Sequence, residues 1–197
     1  MVKAIIFDAD GMVVIPIGGK FSEHLARDFG ISTETTVEFF KNEFQKCLIG
    51  KADLKQELKK YLEEWGWQKS IDELLEYWFT SEKNVDERVI STIKELRKRG
   101  IKCYLATNQE KYRTTYFAKQ MGFGKVFDAM FSSAHIGYKK PTAQFFENII
   151  QELPDVKKEE ILFWDDKEEH VRGAQQFGFQ AELYRNFEDF QDMVMEL

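Results

Sequence analysis

Cysteine is scarce in this sequence. Only two of the 197 residues are cysteines. Cys47 and Cys103 each lie inside an apolar periodic segment, and neither has a CxxC neighbour. Both are therefore predicted to be small buried hydrophobic residues in a reducing compartment, which excludes a disulfide framework.

Long apolar and long basic stretches are also missing. No run approaches the roughly 18 apolar residues of a membrane helix, and two aspartates interrupt the apolar N-terminal stretch. The longest basic run is residues 97–99, in a chain of net charge −6. We therefore expect a cytoplasmic protein that contacts neither membrane nor nucleic acid. The absence of GxxxxGK[ST] excludes a P-loop nucleotide hydrolase.

Five short apolar runs predict β-strands, and helical spacing predicts helices that alternate with them from residue 85 onward. The predicted strands are residues 2–7, 101–106, 128–133, 160–164 and 180–184. Among the helices, one runs from Val85 to a stop at Gly100 with Asn84 as its predicted N-cap, and another has Pro141 in its first turn. This alternation predicts an α/β fold with a doubly wound, mostly parallel, five-stranded Rossmann-like sheet.

One segment interrupts the alternation, because residues 15–84 contain no predicted strand. Apolar residues recur at helical spacing in 37–48, 54–65 and 71–78, and these stripes would close a small bundle. The many aromatic residues here are predicted to be packing and not a cofactor site. We therefore predict an α/β core domain of residues 1–14 and 85–197 with a helical cap domain of residues 15–84.

Chemically active residues follow four of the predicted strands. Ligands bind beyond the carboxyl ends of the strands in an open parallel sheet, so these residues should meet at one edge. They are Asp8 and Asp10, Thr107 and Asn108, Lys139 and Lys140, and Asp165 and Asp166. Carboxylates without imidazole or thiolate partners suit Mg²⁺, and a metal beside a lysine suits a phosphoryl group.

The order of these motifs resembles the haloacid dehalogenase superfamily. The apolar run ending in DADG, the strand ending in Thr107, the Lys-Pro pair at 140–141 and the apolar run ending in Asp165-Asp166 are similar to its phosphatase branch, whose helical cap follows the first strand. The resemblance covers essentially the whole chain. It implies Mg²⁺-dependent hydrolysis of a phosphate ester through an aspartyl-phosphate.

The resemblance also implies a role for each motif residue. Asp8 would be the nucleophile and Asp10 the general acid and base. Thr107 would donate its hydroxyl to a phosphoryl oxygen, supported by the Asn108 backbone amide, and Lys140 would neutralise phosphoryl charge. Lys139 is predicted to be a solvated neighbour.

The implied magnesium ligands are the carboxylates of Asp8 and Asp166 and the backbone carbonyl of Asp10. Asp165 would be a weaker ligand or a supporting acid. His170 stands where the family usually has Asp or Asn, which could alter support of the metal, and we predict no role for His170 in the site.

Several alternatives stay open at this point. A phosphomutase of the same family or a non-catalytic module that binds Mg²⁺ or phosphate would share this fold. A dehalogenase would not need Asp10, and a phosphoacceptor signalling domain would place its acceptor after a middle strand. The substrate is expected to be a small phosphorylated metabolite such as a sugar phosphate or nucleotide, selected by the loops that carry Lys20 and Lys51. The sequence does not indicate an oligomeric state.

Overall fold

The computed structural model describes all 197 residues, and its centre is a five-stranded, all-parallel sheet with strand order β3-β2-β1-β4-β5. The strands are β1 (Ala4–Phe7), β2 (Lys102–Thr107), β3 (Ala129–Ser132), β4 (Ile161–Asp165) and β5 (Gln180–Leu183). All five predicted strands are confirmed. The α/β, doubly wound architecture is confirmed with them, and every pairing is parallel.

Twelve helices surround or precede the sheet. They are α1 (Phe21–Phe29), α2 (Thr33–Lys41), α3 (Glu43–Cys47), α4 (Leu54–Lys59), α5 (Ile71–Ser81), α6 (Glu87–Lys98), α7 (Lys111–Lys119), α8 (Phe123–Val126), α9 (Ser133–Ile136), α10 (Ala143–Gln151), α11 (Glu168–Phe177) and α12 (Phe187–Met195). None of them has both the length and the apolar character that crossing a bilayer would require.

The strands divide their side chains between two hydrophobic clusters by simple alternation. In β1, Ile5 and Phe7 join the cluster on one face, while Ala4 and Ile6 join the cluster on the other. Cys103 is buried in the first cluster as a free thiol, and Cys47 is a free buried thiol in the helical segment, as predicted.

Helices α1–α5 form a third hydrophobic cluster of 13 buried residues that includes none from the sheet. The chain enters and leaves this helical insertion at neighbouring points, because Val14 bridges to Val85 and the Ile15 amide donates to the Asn84 carbonyl at 2.8 Å. The exact domain boundaries at residues 14/15 and 84/85 stay a prediction.

Three local expectations were wrong. Helix α6 is capped by the carboxylate of Asp86, which accepts from the Arg88 amide at 3.0 Å, and not by Asn84. Pro141 lies before α10, whose N-cap is Thr142. The stripe predicted over residues 37–48 is interrupted at Asn42, between α2 and α3, and Val37 is exposed.

Candidate active site

Asp8 follows the central strand directly and is almost completely buried. Its amide donates to the Trp164 carbonyl at 2.9 Å, which continues the β1–β4 pairing beyond Phe7. Its Oδ1 accepts from the Ala9 amide at 2.7 Å and from Lys140 Nζ at 2.7 Å. The central position of β1 thus places this carboxylate between the ends of β2 and β4.

Lys140 supplies the cation that these buried carboxylates need. It is 3% exposed, and its ammonium group donates to Asp8 Oδ1, to Asp165 Oδ2 at 2.6 Å and to the Ala106 carbonyl at 2.9 Å. The side chain of Asn108 fixes its backbone, since Oδ1 accepts from the Lys140 amide at 2.8 Å and Nδ2 donates to the Lys140 carbonyl at 3.0 Å. All three ammonium protons are therefore used inside the protein.

Burial and charge act in opposite directions on the pKa values of this cluster. Burial raises the pKa of Asp8 to about 7, against the opposing effect of the Lys140 ammonium group. Burial by itself lowers the pKa of Lys140, but the carboxylates of Asp8 and Asp165 outweigh it and the pKa is raised. Partial burial of its carboxyl group also raises the pKa of Asp166, although the residue as a whole is exposed, and the charge of Asp165 adds to that rise. An additional cation would favour the ionised carboxylates.

The three carboxylates of Asp8, Asp165 and Asp166 form a group that could hold a metal ion. One oxygen from each lies within 4.8 Å of the others, and Asp166 is exposed while the other two are buried. Oxygen ligands of this kind suit a hard divalent cation such as Mg²⁺, which binds through one or two carboxylates and keeps several waters. The donor set therefore fits the predicted metal. The carboxylate of Asp10 does not belong to this group.

His170 belongs to the site, contrary to the sequence prediction. It is 3% exposed, and its Nδ1 lies 2.9 Å from Asp165 Oδ1, which also accepts from the Lys167 amide at 2.9 Å. Burial raises the pKa of Asp165, but Lys140 and His170 outweigh it and lower the pKa to about 2. The oxygens of Asp165 are thus already engaged, so it acts on the cluster mainly by holding Lys140 and His170.

Asp10 is held by two residues that the sequence analysis did not identify. Arg113 Nη2 donates to Asp10 Oδ1 at 2.8 Å, and Gln109 Nε2 donates to Asp10 Oδ2 at 3.1 Å. Arg113 also forms an ion pair with Glu82, the residue that follows α5. No sequence motif indicates these contacts, because Arg113 is 103 positions from Asp10 and 31 from Glu82.

The structure also places the other predicted residues. Thr107 ends β2 beside the site and is buried, opposite Ser132 of β3. Lys139 is not simply solvated, since its Nζ donates to Gln45 Oε1 of α3 at 2.7 Å and so reaches the helical insertion. Asp8, Lys140, Asp165 and Asp166 therefore come together, with Asn108 attached through Lys140.

Sequence and structural comparisons agree with this architecture. The protein-family model for haloacid dehalogenase-like hydrolases matches residues 2–178 of the chain. The chain belongs to the haloacid dehalogenase-like hydrolase family.

Individual similar proteins include a phosphatase and, by fold, a dehalogenase. The chain is 32% identical over 93 residues to the sesquiterpene phosphatase AstK of Aspergillus oryzae, a match that covers 47% of each chain, so it spans about half the length of that relative. A haloacid dehalogenase family enzyme from Bacteroides thetaiotaomicron has a TM-score of 0.85 at 16% identity over 98% of both chains, and its wild-type form has been solved with magnesium and inorganic phosphate. L-2-haloacid dehalogenase from Xanthobacter autotrophicus has a TM-score of 0.66 at 20% identity, over 100% of this chain and 83% of its own.

Proposed function

We propose that this hydrolase is a magnesium-dependent phosphatase that cleaves small phosphate monoesters through an aspartyl-phosphate on Asp8. A carboxylate oxygen of Asp8 attacks phosphorus, and the bond from phosphorus to the ester oxygen breaks. The leaving oxygen takes a proton from Asp10, so the first product is the free alcohol.

The second half of the reaction regenerates the enzyme. Asp10, now a carboxylate, accepts a proton from a water molecule whose oxygen attacks phosphorus. The bond between phosphorus and Asp8 then breaks and releases inorganic phosphate. Arg113 donates to one carboxylate oxygen of Asp10 and Gln109 donates to the other, so they orient Asp10 for both proton transfers.

The remaining residues bind the phosphoryl group. Lys140 offsets its charge and holds Asp8 in place, and Thr107 donates its hydroxyl to a phosphoryl oxygen. The side chain of Asn108 fixes the backbone of Lys140, and its backbone amide donates to the phosphoryl group. The carboxylates of Asp8 and Asp166 and the Asp10 carbonyl would hold Mg²⁺, which when bound neutralises charge between the nucleophile and the phosphoryl oxygens.

The observation that carries this proposal is the buried Lys140 ammonium group between Asp8 and Asp165, with Asp166 in the same carboxylate group. A buried charge needs a partner, and four charges concentrated at one sheet edge are a costly arrangement without a ligand or a reaction. The partial likeness to a sesquiterpene phosphatase supports phosphate esters as substrates. Asp10 supports a phosphatase over a dehalogenase, because carbon–halogen cleavage needs no acid for the leaving group.

The test is hydrolysis of p-nitrophenyl phosphate by the purified protein with Mg²⁺ and with excess EDTA. We expect turnover only with Mg²⁺. Asp8→Asn removes the nucleophile and should reduce turnover by at least about a thousandfold while the circular dichroism spectrum stays unchanged. Asp155→Asn, which changes an exposed aspartate far along the chain, is the matched control and should retain parental turnover.

Normal turnover by Asp8→Asn would show that the nucleophile is misassigned. An inactive parent that still binds Mg²⁺ or inorganic phosphate would favour the non-catalytic module instead.

A further inference from the structure

A cavity of about 370 Å³ opens beside the proposed general acid, between the strand ends and the helical insertion. Asp10, Gln109 and Arg113 lie on its core side. The insertion supplies Phe21, Phe40, Phe44, Leu48 and Trp78 on the opposite side. This volume is within the range of small-molecule sites and would hold about a dozen non-hydrogen atoms at roughly 30 Å³ each.

The insertion side of the cavity is an aromatic wall made of Phe40, Phe44 and Trp78. Their ring centroids are 5.3 to 5.5 Å apart, and Trp78 also stacks on Phe21 at 4.5 Å. Phe40 and Phe44 are only half-buried, so part of each ring faces the open volume. These contacts hold the wall in place before any substrate arrives, which lowers the entropic cost of binding.

Glu82 and Gln109, two polar residues of the cavity lining, already make hydrogen bonds and ion pairs within the protein. Glu82 accepts from the Phe21 amide at 2.7 Å and from Trp78 Nε1 at 3.0 Å, in addition to its ion pair with Arg113. Gln109 donates to Asp10 and accepts from the Glu110 amide. A leaving group rich in hydroxyls would therefore lose its water and find few free partners among these side chains.

The polar lining residues whose side chains remain for a substrate are Lys20, Ser22 and Lys167. The two lysines are exposed. Their charge suits phosphate oxygens better than uncharged hydroxyl groups. The side chains left for a substrate thus divide into the exposed cations of Lys20 and Lys167 and the apolar aromatic wall.

We infer that the leaving group is apolar and that the substrates are phosphate monoesters of aliphatic or aromatic alcohols with up to about a dozen carbon atoms. This inference rests on the proposed phosphatase function. The proposed substrate class differs from the sugar phosphate or nucleotide expected from the sequence. Burial against the aromatic wall favours binding only where the substrate has apolar surface to bury.

The experiment compares octyl phosphate with glucose 6-phosphate, two esters of primary alcohols with similar intrinsic reactivity. Ethyl phosphate, the monoester of a two-carbon alcohol, serves as a small reference substrate that does not fill the cavity. We expect kcat/KM for octyl phosphate to exceed that for glucose 6-phosphate by at least about tenfold, a discrimination that apolar pockets commonly reach.

Phe44→Ser tests the wall itself. It should lower the ratio of kcat/KM for octyl phosphate over ethyl phosphate by about tenfold, mainly through a higher KM for octyl phosphate. Phe44→Leu should keep most of the parental ratio, which separates apolar contact from a folding defect. Phe29→Ser changes an aromatic residue of the insertion that packs on Trp67 and Tyr77 outside the cavity, and it should leave the ratio unchanged.

The outcomes distinguish the two proposals. If ethyl phosphate is hydrolysed but glucose 6-phosphate is as good a substrate as octyl phosphate, the apolar inference is wrong and the phosphatase proposal stands. An unchanged ratio in Phe44→Ser would also overturn the inference. If no phosphate ester is hydrolysed with Mg²⁺, the phosphatase proposal fails, and the inference fails with it.

Discussion

Gly11 is placed where any side chain would collide with Asp166, one of the proposed metal ligands. Its φ is +97°, and a Cβ there would overlap the carboxylate of Asp166. Gly11→Ala should therefore displace Asp166 and raise the Mg²⁺ concentration for half-maximal turnover by about tenfold or more. The measurement is a magnesium titration of p-nitrophenyl phosphate hydrolysis.

The control for this substitution is Gly122→Ala. Gly122 has a φ of +74° but open space around its missing Cβ, so the alanine brings similar backbone strain without a collision. It should lower thermal stability and leave the magnesium requirement unchanged. An equal change of the magnesium requirement in both variants would contradict the steric explanation.

The buried carboxyl group of Glu110 should make the free energy of unfolding depend on pH. It caps α7 by accepting from the Tyr112 amide at 2.7 Å, and burial raises its pKa from 4.5 to about 7. The folded state holds the proton more tightly than the unfolded state. Its contribution to the free energy of unfolding is therefore complete below pH 4.5 and is lost as the pH rises to about 7.

Glu110→Gln should remove this slope, which amounts to on the order of 3 kcal/mol across that window. Urea unfolding at several pH values, with the parent compared against Glu110→Gln, measures it. Glu159→Gln changes an exposed glutamate and should keep the parental slope. Parallel curves for the parent and Glu110→Gln would show that Glu110 is ionised throughout.

The residues of the site were predictable to different degrees. Asp8, Thr107, Lys140 and Asp166 follow apolar runs or belong to short motifs, so the sequence indicates them directly. Arg113 and His170 were missed, because their partners are brought close only by the folded chain and each residue type is common on a helix surface. A buried arginine carries no local signal that distinguishes it from a solvated one.

At the scale of elements, Arg113 of α7 connects the core to the insertion. Its guanidinium group binds Asp10 on one side and both the side chain and the carbonyl of Glu82 on the other. A lysine cannot replace these contacts, because its ammonium group lacks the planar set of donors with which the guanidinium group bonds to two partners at once. Arg113 thus links the position of the helical insertion to the orientation of Asp10.

Arg113→Lys should lower kcat for p-nitrophenyl phosphate by roughly ten- to a hundredfold with a smaller change in KM, because it impairs the orientation of the acid. Steady-state kinetics on the folded variant measure this. Arg172→Lys, which alters an exposed ion pair with Glu168 on α11, is the control and should behave as the parent. Parental kcat in Arg113→Lys would mean that Gln109 alone orients Asp10.

The presence of each strand and helix was easier to predict than the residues at which it begins and ends. The strands stand out because both faces of each are buried, which leaves uninterrupted apolar runs such as IIF in β1. Helix starts depend on which side chain reaches the free amides. Asp86 was preferred over Asn84, and Thr142 precedes α10 where Pro141 had been expected inside it.

At the scale of the whole molecule, a bound Mg²⁺ should stabilise the folded chain, because the carboxylate group comes together only when β1 and β4 are paired. A hundredfold excess over the dissociation constant adds about 2.7 kcal/mol. For a chain of this size this corresponds to a rise in melting temperature of roughly 5 to 10 °C.

Thermal denaturation with increasing Mg²⁺ tests this expectation. Asp166→Asn should lose most of the rise, whereas Asp155→Asn, a change of an exposed aspartate, should keep it. A full rise in Asp166→Asn would remove Asp166 from the proposed ligands.

The global arrangement of the site could be predicted because a parallel sheet brings the carboxyl ends of its strands to one edge. The cavity could not, because its walls come from residues between 10 and 167, which are close only after the insertion packs beside the sheet. The aromatic residues of the insertion were predicted to be packing, and most are. Phe40 and Phe44 also border open volume, a distinction that burial in three dimensions alone decides.

The division of the aromatic residues gives the molecule two built-in optical reporters. Trp65, Trp67 and Trp78 lie in the hydrophobic cluster of the insertion, and Trp164 is buried in β4. Emission from a variant in which Trp164 is replaced by Phe will thus follow the insertion, while emission from a variant that retains only Trp164 will follow the sheet. Coincident curves would mean that both parts melt as one cooperative unit.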